Sequence, residues 1–274
     1  MQPKPPSFVV VDGRKMAYDE VCPPEPKGTV LLLTGLASKR LGWVRQLEVF
    51  GREYRTIALD HRDTGDSDPV TQPYAVADQA DDAAGALRAL GVEHAAIVGI
   101  SMGGFVALEL ALHHPALANR LVLVSTSAGG RTHVPAARSL TWHYLKPWNV
   151  WGEIGKRAKR SYAVIMAPGY CKAHPDEWDR IATVARYRPQ SRASYRRQWR
   201  ACQIHDVAER LGALNVPTLV IHGDYDPLVP IANGRYLAAH IPGAQMIEYR
   251  DTGHIPIVER AADFNRDVLA FLAE

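Results

Sequence analysis

The stretch HAAIVGISMGGFVALELALHHP, residues 94–115, changes its period halfway along. From Ala95 to Ile100 the residues are continuously small or apolar, as in a strand covered on both faces. From Gly103 onward Val, Leu and Ala recur at helical spacing until Pro115 stops them. Between the two lies Gly99-Ile100-Ser101-Met102-Gly103, a G-x-S-x-G pattern. A serine on so sharp a strand-to-helix turn projects its hydroxyl above the sheet, and the flanking glycines let backbone and helix approach closely.

Outward from this unit the same alternation continues in both directions, which predicts βα units around a buried parallel sheet. Towards the amino terminus, SFVVVDGRKMAYDEV reads as a hairpin turning at Asp12 and Gly13. TVLLLTG (29–35) and RTIALD (55–60) read as buried strands, with helices over 43–52 and 75–90, the second capped by Gly91. Towards the carboxyl terminus come a strand RLVLVSTSA (120–128), a strand in PTLVIHGD (217–224), a helix near 231–240, a strand in AQMIEYR and a closing helix from about Val258. Between Gly130 and Ala213 the rhythm stops and the residues look helical and loop-like. The expected organisation is a core of residues 1–130 and 214–274 with a helical lid, 131–213, inserted after strand six.

A serine hydroxyl needs a base within hydrogen-bond reach, and the base needs a group that fixes its tautomer. In a parallel sheet those partners belong at the carboxyl ends of later strands. Two segments qualify: Asp224-Tyr225-Asp226-Pro227 after PTLVIHG, and Asp251-Thr252-Gly253-His254 after MIEYR. Asp224 competes with Asp226 for the acid, and His222 is a second possible base. His113, His114, His174 and His205 read as ordinary surface or core histidines.

The order Ser101, Asp226, His254 resembles the α/β-hydrolase family over essentially the whole chain. HGDYDPLVP resembles the family's acid-bearing segment and selects Asp226. DTGHIPIVE resembles its histidine loop and selects His254. The resemblance implies a mostly parallel eight-stranded sheet flanked by helices, a catalytic triad of Ser101, His254 and Asp226, and an oxyanion hole made by the backbone N–H groups of Met102 and Leu36. Thr34 stands before Gly35 where the family usually has histidine. DHRDTGDS (60–67) resembles the family's turn after the fourth strand, with Asp63 where glycine is more usual; the R-D-T-G variant is similar to methyl esterases that tailor aromatic polyketides. These read as structural turn residues.

Composition is that of an ordinary packed globular chain: 274 residues, 47% hydrophobic, 22% charged and a net charge of +3. It carries no nucleic-acid footprint, no run of membrane-span length and no signal-peptide pattern, and it reads as cytoplasmic. Cys22, Cys171 and Cys202 suit neither a disulfide framework nor a zinc site, and neither metal nor organic cofactor is expected. TGLASKR lacks the Gly-Lys-Ser spacing of a phosphate loop. Charge is uneven, however. Residues 131–213 hold 16 Lys and Arg against 6 Asp and Glu, inside a frame of the opposite sign.

That insertion also holds five of the six tryptophans. Trp142, Tyr144, Trp148, Trp151 and Trp199 are candidates for lining a substrate pocket, with core packing the alternative. Arg186, Arg188, Arg192, Arg196 and Arg197 either pair with the acidic body or draw an anionic substrate. The expected activity is hydrolysis of a small-molecule carboxylic ester, such as a methyl ester or lactone, through an acyl-enzyme. Carbon-carbon bond hydrolysis, thioester cleavage and perhydrolysis use the same triad, and a ligand receptor with negligible turnover is the reading from a different class. Oligomeric state is not encoded legibly.

Overall fold

The computed structural model describes residues 5–138, 140 and 152–274. Eight strands form one sheet: β1 (Ser7–Val11), β2 (Arg14–Val21), β3 (Thr29–Leu33), β4 (Arg55–Leu59), β5 (Ala95–Ile100), β6 (Ala118–Val124), β7 (Thr218–Gly223) and β8 (Gln245–Tyr249). Their spatial order is β1-β2-β4-β3-β5-β6-β7-β8. β1 and β2 are antiparallel, and β4 through β8 run parallel. The hairpin turns where expected, on Asp12 (φ 47°) and Gly13 (φ 79°).

Period-two alternation explains the layering. In β3, Leu31 and Leu33 face a layer that includes α2 (Val76–Ala89) and α3 (Met102–His113), through Ala80, Leu87, Val106 and Leu110. Val30 and Leu32 face the other layer, with Trp43, with Phe50 of α1 (Val44–Phe50), and with Phe264, Val268 and Phe271 of α10 (Ala261–Ala273). Central strands are thus buried on both sides, which is why they read as unbroken apolar runs. Between β7 and β8 runs α8 (Ala232–His240).

Two boundaries differ from expectation. β6 ends at Val124 rather than Ala128, because Ser125 takes φ 46° and leaves the sheet. The closing helix is split at Arg260 into α9 (Pro256–Glu259) and α10.

From β6 to β7 the chain leaves the sheet through α4 (Ile154–Ile165), α5 (Tyr170–Ala173), α6 (Pro175–Arg186) and α7 (Arg192–Ile204). Their starts are written locally. The Glu153 carboxylate accepts the N–H groups of Gly155 and Lys156 at 2.8 Å, Pro175 opens α6, and Ser191 Oγ accepts the Ser194 N–H at 3.0 Å. Trp142, Tyr144, Trp148 and Trp151 lie outside the described residues. Trp199 does not form an enclosed wall: it is 47% exposed. α7 packs through Ser194, Gln198 and Ala201, and the next position along the helix is turned about 100° off that face. Among the described residues no helix is long and apolar enough to cross a membrane.

Candidate active site

Ser101 follows directly on β5 and precedes α3, with φ 56° and ψ −121°, a conformation that non-glycine residues rarely hold. Close packing enforces it. A Cβ on Gly99 would meet Gly103 O at 2.2 Å, and one on Gly103 would meet Leu33 O at 2.2 Å. The turn is tied to the neighbouring strand by Ser101 N–H to Val124 O at 2.9 Å and by the Thr126 hydroxyl, which donates to Ser101 O at 2.7 Å.

The loop after β3 passes directly over this turn: a Cβ on Gly35 would stand 3.3 Å from Ser101 Cβ and 3.8 Å from Oγ. Leu36 follows in a turn closed by Ser38 N–H to Gly35 O at 3.0 Å. Met102 opens α3, where the first N–H groups have no acceptor within the helix. Leu36 and Met102 are thus the next residues along from Gly35 and Ser101, which lie against each other. With Thr34 rather than histidine before Gly35, two groups hold the loop. Thr34 Oγ1 donates to Ser38 O at 3.3 Å, and His61 Nε2 lies 3.1 Å from Thr34 O. Burial drives the His61 pKa down to about 4, so the ring is neutral with its proton on Nε2 facing that carbonyl.

Asp226 and His254 come together. His254 Nδ1 donates to Asp226 Oδ2 at 2.7 Å, both side chains being almost wholly buried. A carboxylate facing Nδ1 fixes the proton there and leaves the Nε2 lone pair free to accept. The other oxygen, Oδ1, accepts the Leu228 and Val229 N–H groups, each at 2.9 Å. Burial alone would raise the Asp226 pKa, but the His254 charge and the contacts with His222 and His254 outweigh it and hold it near 2. Asp224, the competitor, is exposed and accepts only a long 3.4 Å bond from Thr252 N–H. His222 is buried beneath Asp226, with Nε2 2.7 Å from Val229 O.

Residues without an assigned role in the triad hold these loops. Glu259 accepts N–H bonds from Gly253 and Ile255, the two neighbours of His254, and from Ala167 of the insertion, at 3.0, 3.0 and 2.7 Å. His254 N–H itself donates to Ile165 O at 2.7 Å. Buried Gln198 accepts the Ala37 N–H at 2.9 Å and donates to Thr64 Oγ1 at 3.2 Å, joining the loop after β3 to the loop after β4. A glutamine on a basic helix carries no sequence signal for such a role; its spacing from Ser194 and Ala201 on one helix face does.

The turn after β4 is a charged junction. Asp63 takes φ 68°, which accounts for the usual glycine there. Its carboxylate accepts Arg197 Nε at 2.9 Å, Arg197 Nη2 at 2.8 Å and Val70 N–H at 3.1 Å. Fully buried Arg40 bonds Asp60 and Asp66 at 2.6 and 2.9 Å, while Tyr187 and Arg188 of the insertion reach Asp66 at 2.6 and 3.0 Å. Arg186 instead pairs with Glu153 inside the insertion. Arg196, Arg197 and Arg200 border an open groove of about 470 Å³ lined also by Tyr74, Asp78 and Ile204; among the described residues Ser101, Asp226 and His254 are not part of its lining.

The fold has counterparts among known proteins. Residues 28–261 match the α/β-hydrolase fold family. A Variovorax paradoxus (strain S110) protein named "Putative carbamate hydrolase RutD" is 32% identical over 93% of this chain and 95% of its own. A solved enol-lactonase from Burkholderia xenovorans LB400 superposes with a TM-score of 0.85 at 24% identity, covering 98% of this chain and 100% of its own. A hydrolase from Pseudomonas aeruginosa PA01 does so with 0.81 at 26%, covering 98% of each. Matched over most of its length and built on the same sheet, the chain belongs to the α/β-hydrolase family and is a hydrolase.

Proposed function

We propose that this hydrolase cleaves a carboxylic ester or lactone through an acyl-enzyme, with Ser101 as nucleophile, His254 as general base and Asp226 as the orienting acid. The observation that carries the reading is the 2.7 Å Asp226–His254 pair on the same sheet edge as the strained Ser101 turn. In this reading Ser101 Oγ comes within hydrogen-bond reach of His254 Nε2, gives up its proton to that nitrogen, and bonds to the carbonyl carbon. The oxyanion is met by the Met102 and Leu36 N–H groups. Collapse of the intermediate expels the alcohol, which takes the proton from His254; water then repeats the sequence and frees the acid. Asp226 stays ionised throughout, as its low pKa requires.

The insertion of residues 131–213 is proposed as the lid that shapes the acyl or alcohol pocket, because it is fastened to both the histidine loop and the loop after β3. A second reading, cleavage of a carbamate by the same groups, is favoured by the 32% identity to the relative of that name. The two readings differ on the acyl side: a carbamate carries nitrogen where an ester carries carbon, so the intermediate on Ser101 is a carbamoyl- rather than an acyl-enzyme.

A fluorophosphonate followed by mass spectrometry tests the common core: one adduct on Ser101, none in Ser101→Ala, is the expected result. An adduct elsewhere, or full activity in Ser101→Ala, overturns it. p-Nitrophenyl acetate through octanoate, set beside a p-nitrophenyl carbamate, then separates the two readings. Turnover of the esters alone supports the first, and multiple turnovers of the carbamate alone support the second.

A further inference from the structure

We propose that His222 is a positioning residue for the catalytic acid, an N–H donor fixed against Asp226 that sets how strongly the carboxylate holds His254; this rests on the serine-hydrolase reading above.

His222 is fully buried on β7, four residues before Asp226. Among the described residues its Nε2 faces two acceptors, Val229 O at 2.7 Å and Asp226 Oδ2 at 3.4 Å. A ring nitrogen between a carbonyl and a carboxylate must carry the proton, which fixes the tautomer. Nδ1 has no hydrogen-bond partner among the described residues, and a Cβ on Gly234 of α8 would come within 2.5 Å of it, so the helix is seated against the ring.

Two effects on Asp226 follow. The short bond goes to Val229 O, and the Val229 N–H donates to Asp226 Oδ1; His222 therefore pins the turn whose amides cradle the acid. The flank of the same N–H also faces Oδ2, the oxygen that holds His254, at a distance that makes it an electrostatic contact rather than a full hydrogen bond. Removing the donor concentrates carboxylate charge on the His254 contact. That favours the imidazolium and moves protonation of the base to higher pH. The other charged groups around this stack are Glu248, opposite His222 in the β7–β8 register and paired with Arg235, and Glu259, beside His254. Neither replaces a donor at Oδ2.

The test measures the rate of Ser101 labelling by a fluorophosphonate against pH in wild type, His222→Leu and His222→Gln. This readout needs the same base and no knowledge of the natural substrate. The expected result is that His222→Leu labels about tenfold more slowly at pH 7 and its acidic limb moves up by roughly half a unit to one unit. Glutamine, whose amide N–H falls near the position of Nε2, restores most of both. The limb position does not depend on the folded fraction, so partial unfolding of a variant changes amplitude alone. An unmoved limb in His222→Leu, or a glutamine variant as impaired as the leucine one, overturns the proposal. Absence of a Ser101 adduct in wild type overturns the serine-hydrolase reading itself, and this proposal with it.

Discussion

Replacing Asp63 by glycine sets two opposed terms against each other. At φ 68° a non-glycine residue costs about 1 kcal/mol, which the substitution returns. Against this it removes the two-pronged bond from Arg197, about 2 kcal/mol for a pair whose arginine side chain is 18% exposed and whose aspartate is fully buried. It also removes the acceptor of the Val70 N–H, about 1 kcal/mol. The balance is a loss of about 2 kcal/mol, or roughly 5 °C in Tm for a chain of this size. Asp63→Asn keeps the backbone and one acceptor, and its loss should be smaller, about 1 kcal/mol. Arg197→Ala strands a buried carboxylate and should cost most, about 3 kcal/mol. Burial works to raise the Asp63 pKa, but Arg197, Val70 and Ser194 outweigh it and hold it below the ordinary value. The carboxylate's contribution is therefore fully present above about pH 4 and lost as pH falls through the lowered folded value. Urea unfolding followed by tryptophan fluorescence, at pH 7 and at steps down to pH 3, reads all three variants. A glycine variant as stable as wild type would show that backbone strain outweighs the pair, and a harmless Arg197→Ala would show that the pair does little.

Asp226→Asn should lower kcat by about 10⁴, as in the protease case where an amide favours the wrong tautomer, while Asp224→Asn stays within a few-fold; the reverse ranking in steady-state kinetics moves the acid to Asp224. Glu259→Gln weakens the clamp on both neighbours of His254, so kcat should fall about tenfold with KM little changed, and an unchanged kcat in the same assay removes Glu259 from the site. Because Arg188 and Arg197 are engaged with Asp66 and Asp63, a neutral ester and its carboxylate-bearing analogue should show the same salt dependence of kcat/KM. A steeper fall for the anionic analogue would revive steering by the insertion's positive charge.

Legibility in the sequence followed the physics of each feature. The sheet could be read because double-sided burial turns β3, β5 and β7 into unbroken apolar runs, and the Ser101 turn because only glycine fits at positions 99 and 103. Position just after a strand left Asp224 beside Asp226 and His222 beside His254, and the resemblance of HGDYDPLVP and DTGHIPIVE to the family made the choice between them. The end of β6 was not, because Ser125 leaves the sheet by a backbone rotation that Val-Ser-Thr-Ser does not announce. Gln198 carried no motif, and although His222 was a candidate base and Glu259 closes the histidine-loop motif, the bonds that define all three roles span 161, 7 and 92 positions, to Ala37, Val229 and Ala167. The basic excess of the insertion was visible, but which arginines are consumed by Asp63 and Asp66 is a matter of tertiary contact alone.

The bond from His254 N–H to Ile165 O has a kinetic meaning. The helix that ends at Ile165 cannot swing outward without pulling on the backbone of the base, and Gly253, where a Cβ would meet Ile165 O at 2.4 Å, leaves no slack between them. Glu259, Gln198, Arg197 and Tyr187 fasten the rest of residues 154–204 at four more points. If these helices cover the site as proposed above, a cover riveted in this way behaves as a fixed roof rather than a flap. On that proposal no interfacial activation is expected: the rate on a short-chain ester should rise smoothly through the substrate's solubility limit, with neither a lag nor a jump when droplets form.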